Sequence, residues 1–499
     1  MKVAVIGAGI GGLAVAVRLA NRGHNITLFE KNSFPGGRLS EIKAEGFRFD
    51  TGASVFTMPE LVEKLFADSK VGIEVFLKYS RMDVNCRYFL PGGKVVRMYA
   101  DPRKLREELR KNSPEPFENI ERRLIRSAEL FRLSQDCFID FEGIVKKSSL
   151  FSYDYNKIRL KSFKYLKGGS AHKINENSFI DKDIANIFDT FGIYNGYDPY
   201  KTNPLLALGS YPLYGTNRYF IQGGFYALAD ALMRLAKERR VGFRFGNEVE
   251  QICINNGKAD GVVIKGGEQM GFDAVVSALD INYAGKKLFC DPELPKYQGK
   301  ELTSSALVFL WGVKRTTPRL DCYNVILSSD PEKEFDLIFD RKIISSDPTI
   351  SIYISSKLCK TDAPPGCENW QVHINAPVNM GQDWTTQINQ SRIIILKRIY
   401  EKLGVDIKKD LVYEKIISPV NFEHDYRTFR GSLHGYMNNH LLSPVSGYPN
   451  RHPSIKNLYF AGGTVHPGGS VPMTLMSAFI VDSIFEKEHP VTITEPTLF

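Results

Sequence analysis

The chain has 499 residues, 43% hydrophobic and 24% charged, with a formal net charge of +9; that is too long for one simple core, so two or three lobes are expected. No apolar run reaches the ~18–20 residues of a spanning helix, the N-terminus does not pattern as a signal peptide, and seven scattered cysteines without CxxC spacing suggest reduced thiols in a cytosolic setting and give no support for a metal site. The positive charge suits a basic soluble surface or an anionic membrane, at roughly 1 kcal/mol per well-placed Lys or Arg, while no nucleic-acid module is matched.

In chain order, Val3, Ala4, Val5 and Ile6 form a short apolar strand. Gly7-x-Gly9-x-x-Gly12 follows it and opens an apolar helix, with Gly11 in the same turn. Gly7 permits the tight turn, Gly9 lets backbone approach a pyrophosphate, and Gly12 lets the helix pack on the sheet. A diphosphate would then meet the unpaired N–H groups and positive dipole of the helix N-terminus. Glu30 closes the second strand, where a carboxylate can accept both ribose hydroxyls and repel a 2′-phosphate. Gly36-Gly37-Arg38 is a second glycine turn. It favours FAD over NAD, because a longer cofactor needs a second close backbone approach, and the guanidinium can reach phosphate or the flavin side.

Residues 41–52 alternate apolar and polar and end in Asp50-Thr51-Gly52, a strand entering a turn. Residues 59–66 predict a helix, and 88–96, around Pro91-Gly92-Gly93, a hairpin. Residues 101–141 are helical in pattern, with Arg122, Arg123, Arg126 and Arg132 beside a stripe of Ile120, Leu124, Ala128 and Phe131. Such a helix can lie on a membrane or simply present a solvated face. The aromatic-rich stretch 151–219 is either ordinary core or the lining of a pocket for a long apolar ligand. Ile221-Gln222-Gly223-Gly224 precedes a helix; 241–245, 249–254, 259–264 and 272–278 predict strands of one meander belonging to the N-terminal lobe, turning at Asn255-Asn256-Gly257. Further strands are expected at 304–313, 350–354, 368–376 and 457–461, and helices at 392–403 and from Pro472.

The run VIGAGIGGLAVAVRLANRGHNITLFEKNSFPGGRLSEIKAEGFRFDTGASVF resembles the N-terminus of the carotenoid (phytoene-type) desaturases, within the flavin amine oxidase-like superfamily. Residues 221–224 resemble the family's PxGG segment, with Gln222 where glycine or a similar residue is more usual. Asp347-Pro348-Thr349 and Ala363-Pro364-Pro365-Gly366 resemble its middle segments, and 457–472 its C-terminal signature. The resemblance covers nearly the whole chain and is weakest across 101–219. It implies an α/β fold: a Rossmann-like FAD-binding domain (GR2-type) from 1–80, 221–284 and 445–487, and an α+β substrate-binding, membrane-associating domain of antiparallel sheet and helices from 81–220 and 285–444.

Carried over by position, the resemblance implies that Gly7, Gly9, Gly11, Gly12, Glu30 and Lys31 hold the ADP half of FAD, and that Gly37, Arg38, Gly52 and Ala53 face the flavin. Val249 would offer backbone to adenine, and Gly463 and Thr464 would contact diphosphate or ribitol. Pro472 and Met473 would bring N–H groups and the positive end of the last helix to the flavin pyrimidine edge. The implied reaction removes two hydrogens across a C–C bond of a carotenoid or isoprenoid, one as hydride to flavin, with oxygen or a quinone as final acceptor. No convincing acid/base pair is evident. His434 and His466 are the nearest candidates and Asp50 a weaker one, so no catalytic residue is assigned. Residues 466–473 look more like the hydroxy/methoxycarotenoid 3,4-desaturase branch than the phytoene branch, although Ser470 stands where a third glycine is common. Phytoene/lycopene-type desaturases, saturases and isomerases would use the same seat. Amine oxidases often carry an acid where this chain has Thr464, and the intact glycine–Glu30–Arg38 set argues against a flavin-free prenyl-lipid carrier. The expected location is cytoplasmic, peripherally associated with a membrane.

Overall fold

The computed structural model describes residues 1–139, 169–204, 211–215, 217–297, 301–437 and 447–490. Parts of the aromatic-rich stretch (151–168 and 205–210) and the expected boundary at 444/445 lie outside the described residues.

Lys2–Ile6 is the central strand of a five-stranded parallel sheet, ordered Leu458–Phe460, Ala274–Ser277, Lys2–Ile6, Asn25–Glu30, Gly242–Phe245. Buried on both faces, it is apolar throughout Val3–Ile6. Parallel neighbours need crossover connections, and the helix Ile10–Asn21 supplies the first. That helix packs against Gly224–Glu238 and Val471–Glu488 over one apolar core containing Leu13, Val17, Leu228, Leu232, Leu475 and Val481. Arg18 and Arg22 both bond the buried carboxylate of Asp482, at 2.6 and 2.5 Å, tying the first helix to the last.

The expected four-stranded meander is divided between two sheets. Gly242–Phe245 and Ala274–Ser277 join the parallel sheet, whereas Val249–Asn255, Lys258–Ile264 and an unanticipated Gln269–Gly271 form a separate antiparallel sheet. Short apolar runs declare a strand but not its partner. The turn is Asn256-Gly257, at φ 52° and 71°, the left-handed pair of a type I′ hairpin.

The larger sheet has seven strands, ordered Leu411–Ile417, Ser305–Val313, Glu368–Ala376, Ile350–Tyr353, Tyr323–Ile326, Val84–Phe89, Val95–Tyr99. Its neighbours are antiparallel except Tyr323–Ile326 against Val84–Phe89, a pair reached by a long crossover. One core beneath it takes Ile395, Ile399 and Leu403 from the helix Trp384–Leu403. That helix starts earlier than the expected 392, capped by Asp383 Oδ1, which accepts the Thr386 N–H at 3.1 Å. Its polar first turns had concealed it. Where the chain leaves and rejoins the smaller sheet's lobe, Tyr79–Arg81 pairs with Tyr219–Ile221. Among the described residues no helix is long and apolar enough to cross a membrane.

Candidate cofactor site

The glycine turn is shaped by contacts no side chain could share. A Cβ on Gly12 would stand 1.9 Å from the Gly7 carbonyl oxygen, and Gly7 itself has φ 99°. Gly9 differs: a Cβ there would meet nothing within 4 Å. No side chain caps the helix that Gly9 begins, so its first N–H groups face an open cradle. The walls come from far along the chain. A Cβ at Gly37 would lie 3.4 Å from Gly9 Cα, one at Gly11 3.3 Å from Gly462, and one at Gly52 2.1 Å from the Arg38 carbonyl oxygen.

Glu30 is buried at the end of its strand. Its Oε2 accepts the Ala8 N–H and its Oε1 the Asn32 N–H, each at 2.9 Å. The carboxylate is thereby fixed at the mouth of the turn with lone pairs to spare. Lys31 follows, half-buried. Asn247 N–H donates to the Glu30 main-chain carbonyl at 3.0 Å, which ties the segment entering Val249–Asn255 to the end of this strand.

At the other end, the half-buried Arg38 guanidinium donates to the Leu433 carbonyl, and its Nη2 would be 3.3 Å from a Cβ on Gly463. Burial lowers the Arg38 pKa, with the Asp280 carboxylate opposing that. Asp280 caps the helix Ile281–Lys287, accepting from Asn282 and Tyr283 N–H; its Oδ2 is buried without a partner. Thr464 Oγ1 accepts the Ile281 N–H at 2.9 Å, so its hydroxyl serves the protein. Ala53 continues the Gly52 turn, half-buried. At the last helix, Ser470 Oγ accepts the Met473 N–H at 3.4 Å, and Pro472 has no N–H to give. This end offers dipole rather than free donors from those two residues.

Of the three proton-transfer candidates, Asp50 is tied into an ion pair and His434 is a weak base. His434 is half-buried, its inaccessible Nδ1 against Gly469, where a Cβ would be 1.9 Å from it. Burial first, then the Arg38 charge, pushes its pKa down to about 3, so it is neutral and too weak a base at neutral pH. His466 is fully buried, its backbone N–H bonded to Tyr448 O at 2.9 Å and its carbonyl to Asn450 Nδ2 at 2.8 Å. Asp50 pairs with Arg48 at 3.0 Å and accepts the Phe225 N–H at 2.9 Å, capping the helix Gly224–Glu238. Arg48 also grips Asp362 through two 2.8 Å bonds. Gly224, at φ 74°, is required because a Cβ would come within 2.5 Å of both Arg48 and Asp50.

A dinucleotide suits these residues: an open cradle over uncapped N–H groups, a buried carboxylate, a half-buried guanidinium, and the unpartnered buried atoms His434 Nδ1 and Asp280 Oδ2. Sequence reasoning missed Asp280, Leu433 and the Ser470 cap, since each acts through a contact distant in sequence or through backbone. Known proteins agree with the geometry. The family model described as flavin containing amine oxidoreductase matches residues 10–481. A 1-hydroxycarotenoid 3,4-desaturase of Flavobacterium sp. (strain P99-3) is 33% identical over 98% of this chain and 99% of its own. A 4,4'-diapolycopene oxygenase of Methylomonas sp is 31% identical, covering 96% and 97%. The solved cyclohexylamine oxidase of Brevibacterium oxydans, 15% identical, covers 98% and 99% with a TM-score of 0.62, a likeness of fold.

Proposed function

This chain belongs to the flavin containing amine oxidoreductase family, and we propose that it is an FAD-dependent carotenoid desaturase acting on a hydroxylated polyene. The end-to-end match to the Flavobacterium 1-hydroxycarotenoid 3,4-desaturase carries this reading. Bound FAD would supply the acceptor for a hydride leaving an allylic carbon. In this proposal Gly7, Gly9, Gly11, Gly12, Glu30, Lys31 and Val249 hold the adenosine half, and Gly37, Arg38, Gly52, Ala53, Gly463, Thr464, Pro472 and Met473 the remainder. Residues 1–80, 221–284 and 445–487 then form the FAD-binding domain, and 81–220 and 285–444 the substrate domain. The charge developing beside a conjugated polyene is delocalised, so these residues must chiefly orient the chain and exclude water. The neutral His434 suits such a wall.

The protein is further proposed to work at a membrane surface, because its substrate dissolves in lipid. Exposed Ile125 between exposed Arg122 and Arg126 supports this reading. Co-sedimentation with anionic but not neutral liposomes is expected; retention in the supernatant with both would remove the membrane proposal.

The deciding experiment incubates holoenzyme with lipid-solubilised carotenoids under air, with and without quinone. A red-shifted product lacking two hydrogens supports desaturation. A product that has gained oxygen favours the oxygenase chemistry in the Methylomonas relative's name.

A further inference from the structure

Arg218 lies just before the strand Tyr219–Ile221, at the junction of the two sheets' lobes. It is fully buried. Its backbone N–H donates to Asn85 Oδ1 at 3.3 Å and its Nη1 to the Asn85 carbonyl at 3.0 Å. Its Nε and Nη2 are buried and have no hydrogen-bond partner among the described residues. The guanidinium carbon lies 5.6, 5.8 and 5.9 Å from the ring centroids of Tyr323, Tyr194 and Tyr214. These π faces favour a cation without using its N–H groups.

The neighbouring hydroxyls are engaged elsewhere. Tyr214 OH donates to the Ile187 carbonyl at 2.7 Å and contacts Thr190 at 2.6 Å and Tyr88 at 2.9 Å. The Cys86 thiol, also buried, is directed to the Arg87 carbonyl at 3.8 Å. A buried cation with orphaned N–H groups and, among the described residues, no carboxylate partner is costly unless something else accepts those bonds. The cage is also close to the cofactor site on two sides. Tyr219 N–H, next to Arg218, donates to the carbonyl of Phe56, three residues after Ala53, at 2.9 Å, and Gly196, two residues past Tyr194, accepts the Ser304 N–H at 2.9 Å beside Thr303, whose Oγ1 accepts the His434 N–H at 2.9 Å.

We infer that Arg218 donates its free N–H groups to an oxygen atom carried at the end of the polyene, so that it selects oxygenated substrates and sets which carbons face the cofactor. This rests on the desaturase reading for its ligand. A guanidinium only donates, so a hydroxyl or a methyl ether serves equally, and a plain hydrocarbon end leaves the donors unpaired.

The test titrates oxidised holoenzyme into detergent-solubilised polyenes that differ only at C1: hydroxy, methoxy or unsubstituted. Binding is read from the polyene absorption shift, separately from turnover. Wild type is expected to bind both oxygenated forms about tenfold or more tighter than the hydrocarbon. Arg218→Met should erase that preference while keeping flavin occupancy, and Arg218→Lys should keep part of it. Equal binding of all three by wild type overturns the inference, as does a preference that survives in Arg218→Met. Tight binding of the hydroxy form alone also overturns it, because that pattern needs an acceptor in the site. If Arg218→Met fails to hold flavin, the wild-type series and Arg218→Lys decide. An Arg218-dependent preference without turnover of any polyene would remove the desaturase reading and leave the cage standing.

Discussion

The Ala8 N–H and the Glu30 carboxylate lie 2.9 Å apart, joining the glycine turn to the end of the neighbouring strand. Glu30 therefore shapes the turn as well as its own hydrogen-bonding position. Glu30→Ala should weaken FAD binding on the order of 10- to 100-fold, the scale of hydrogen bonds to a charged group. Reconstitution of apoprotein followed by flavin fluorescence measures it, and unchanged affinity would discount Glu30 as a cofactor residue.

Gly9 and Gly12 should separate binding from folding. At Gly12 an added methyl collides with the Gly7 carbonyl oxygen at 1.9 Å, whereas at Gly9 it meets no protein atom within 4 Å. Gly12→Ala is expected to lower the Tm of the apoprotein clearly. Gly9→Ala should leave that Tm nearly unchanged and lower flavin occupancy. Equal damage by both to the apoprotein would argue against an open cradle.

Asp482 accepts bonds from two arginines and is nearly inaccessible. Asp482→Ala leaves both guanidinium groups short of a partner and should cost about 3 kcal/mol or more. Asp68 and Glu486 retain part of the pairing. Urea unfolding of the holoprotein gives the number, and a loss below measurement error would contradict the tie.

Glu334 is fully buried, its carboxyl bonded by the N–H and hydroxyl of Thr349 at 2.9 and 2.7 Å. Burial pushes its pKa from 4.5 to about 7. Between those values the native state holds a proton that the unfolded chain has lost, so stability falls as pH rises through the window. The contribution is on the order of 3 kcal/mol. Glu334→Gln should flatten the pH 5 to pH 8 difference in unfolding free energy; an unaltered slope would show that other groups carry it.

His434 titrates oppositely. Its pKa is lowered to about 3, so the native state binds fewer protons than the unfolded chain between that value and 6.5, and stability is lost as pH falls through this range. His434→Gln should reduce that acid sensitivity and leave any inflection of the pH–rate profile near neutrality in place. Loss of such an inflection would restore His434 as a proton carrier.

The parallel sheet was legible because its signals are local: glycine spacing, a carboxylate closing a strand, and apolar runs. The larger sheet was less so. Leu411–Ile417 is an edge strand whose residues are mostly half or fully exposed, and Tyr323–Ile326 is only four residues long, so neither stood out from loop. At the site, turns that bring backbone close could be anticipated from glycines. The Asp280 cap, the Arg38–Leu433 bond and the Arg218 cage could not, because their partners lie hundreds of residues away or are main-chain atoms.

The bond between Arg18 and Asp482 spans 464 residues. At roughly 5–20 residues per second, a ribosome needs about 20–90 s to deliver the second partner after the first. During that interval the central strand waits for Ala274–Ser277, and Ala274–Ser277 waits in turn for Leu458–Phe460. On the proposed site, cofactor loading is expected only near the end of synthesis, and a nascent chain stalled before the last helix exposes an unfinished sheet for chaperones to hold.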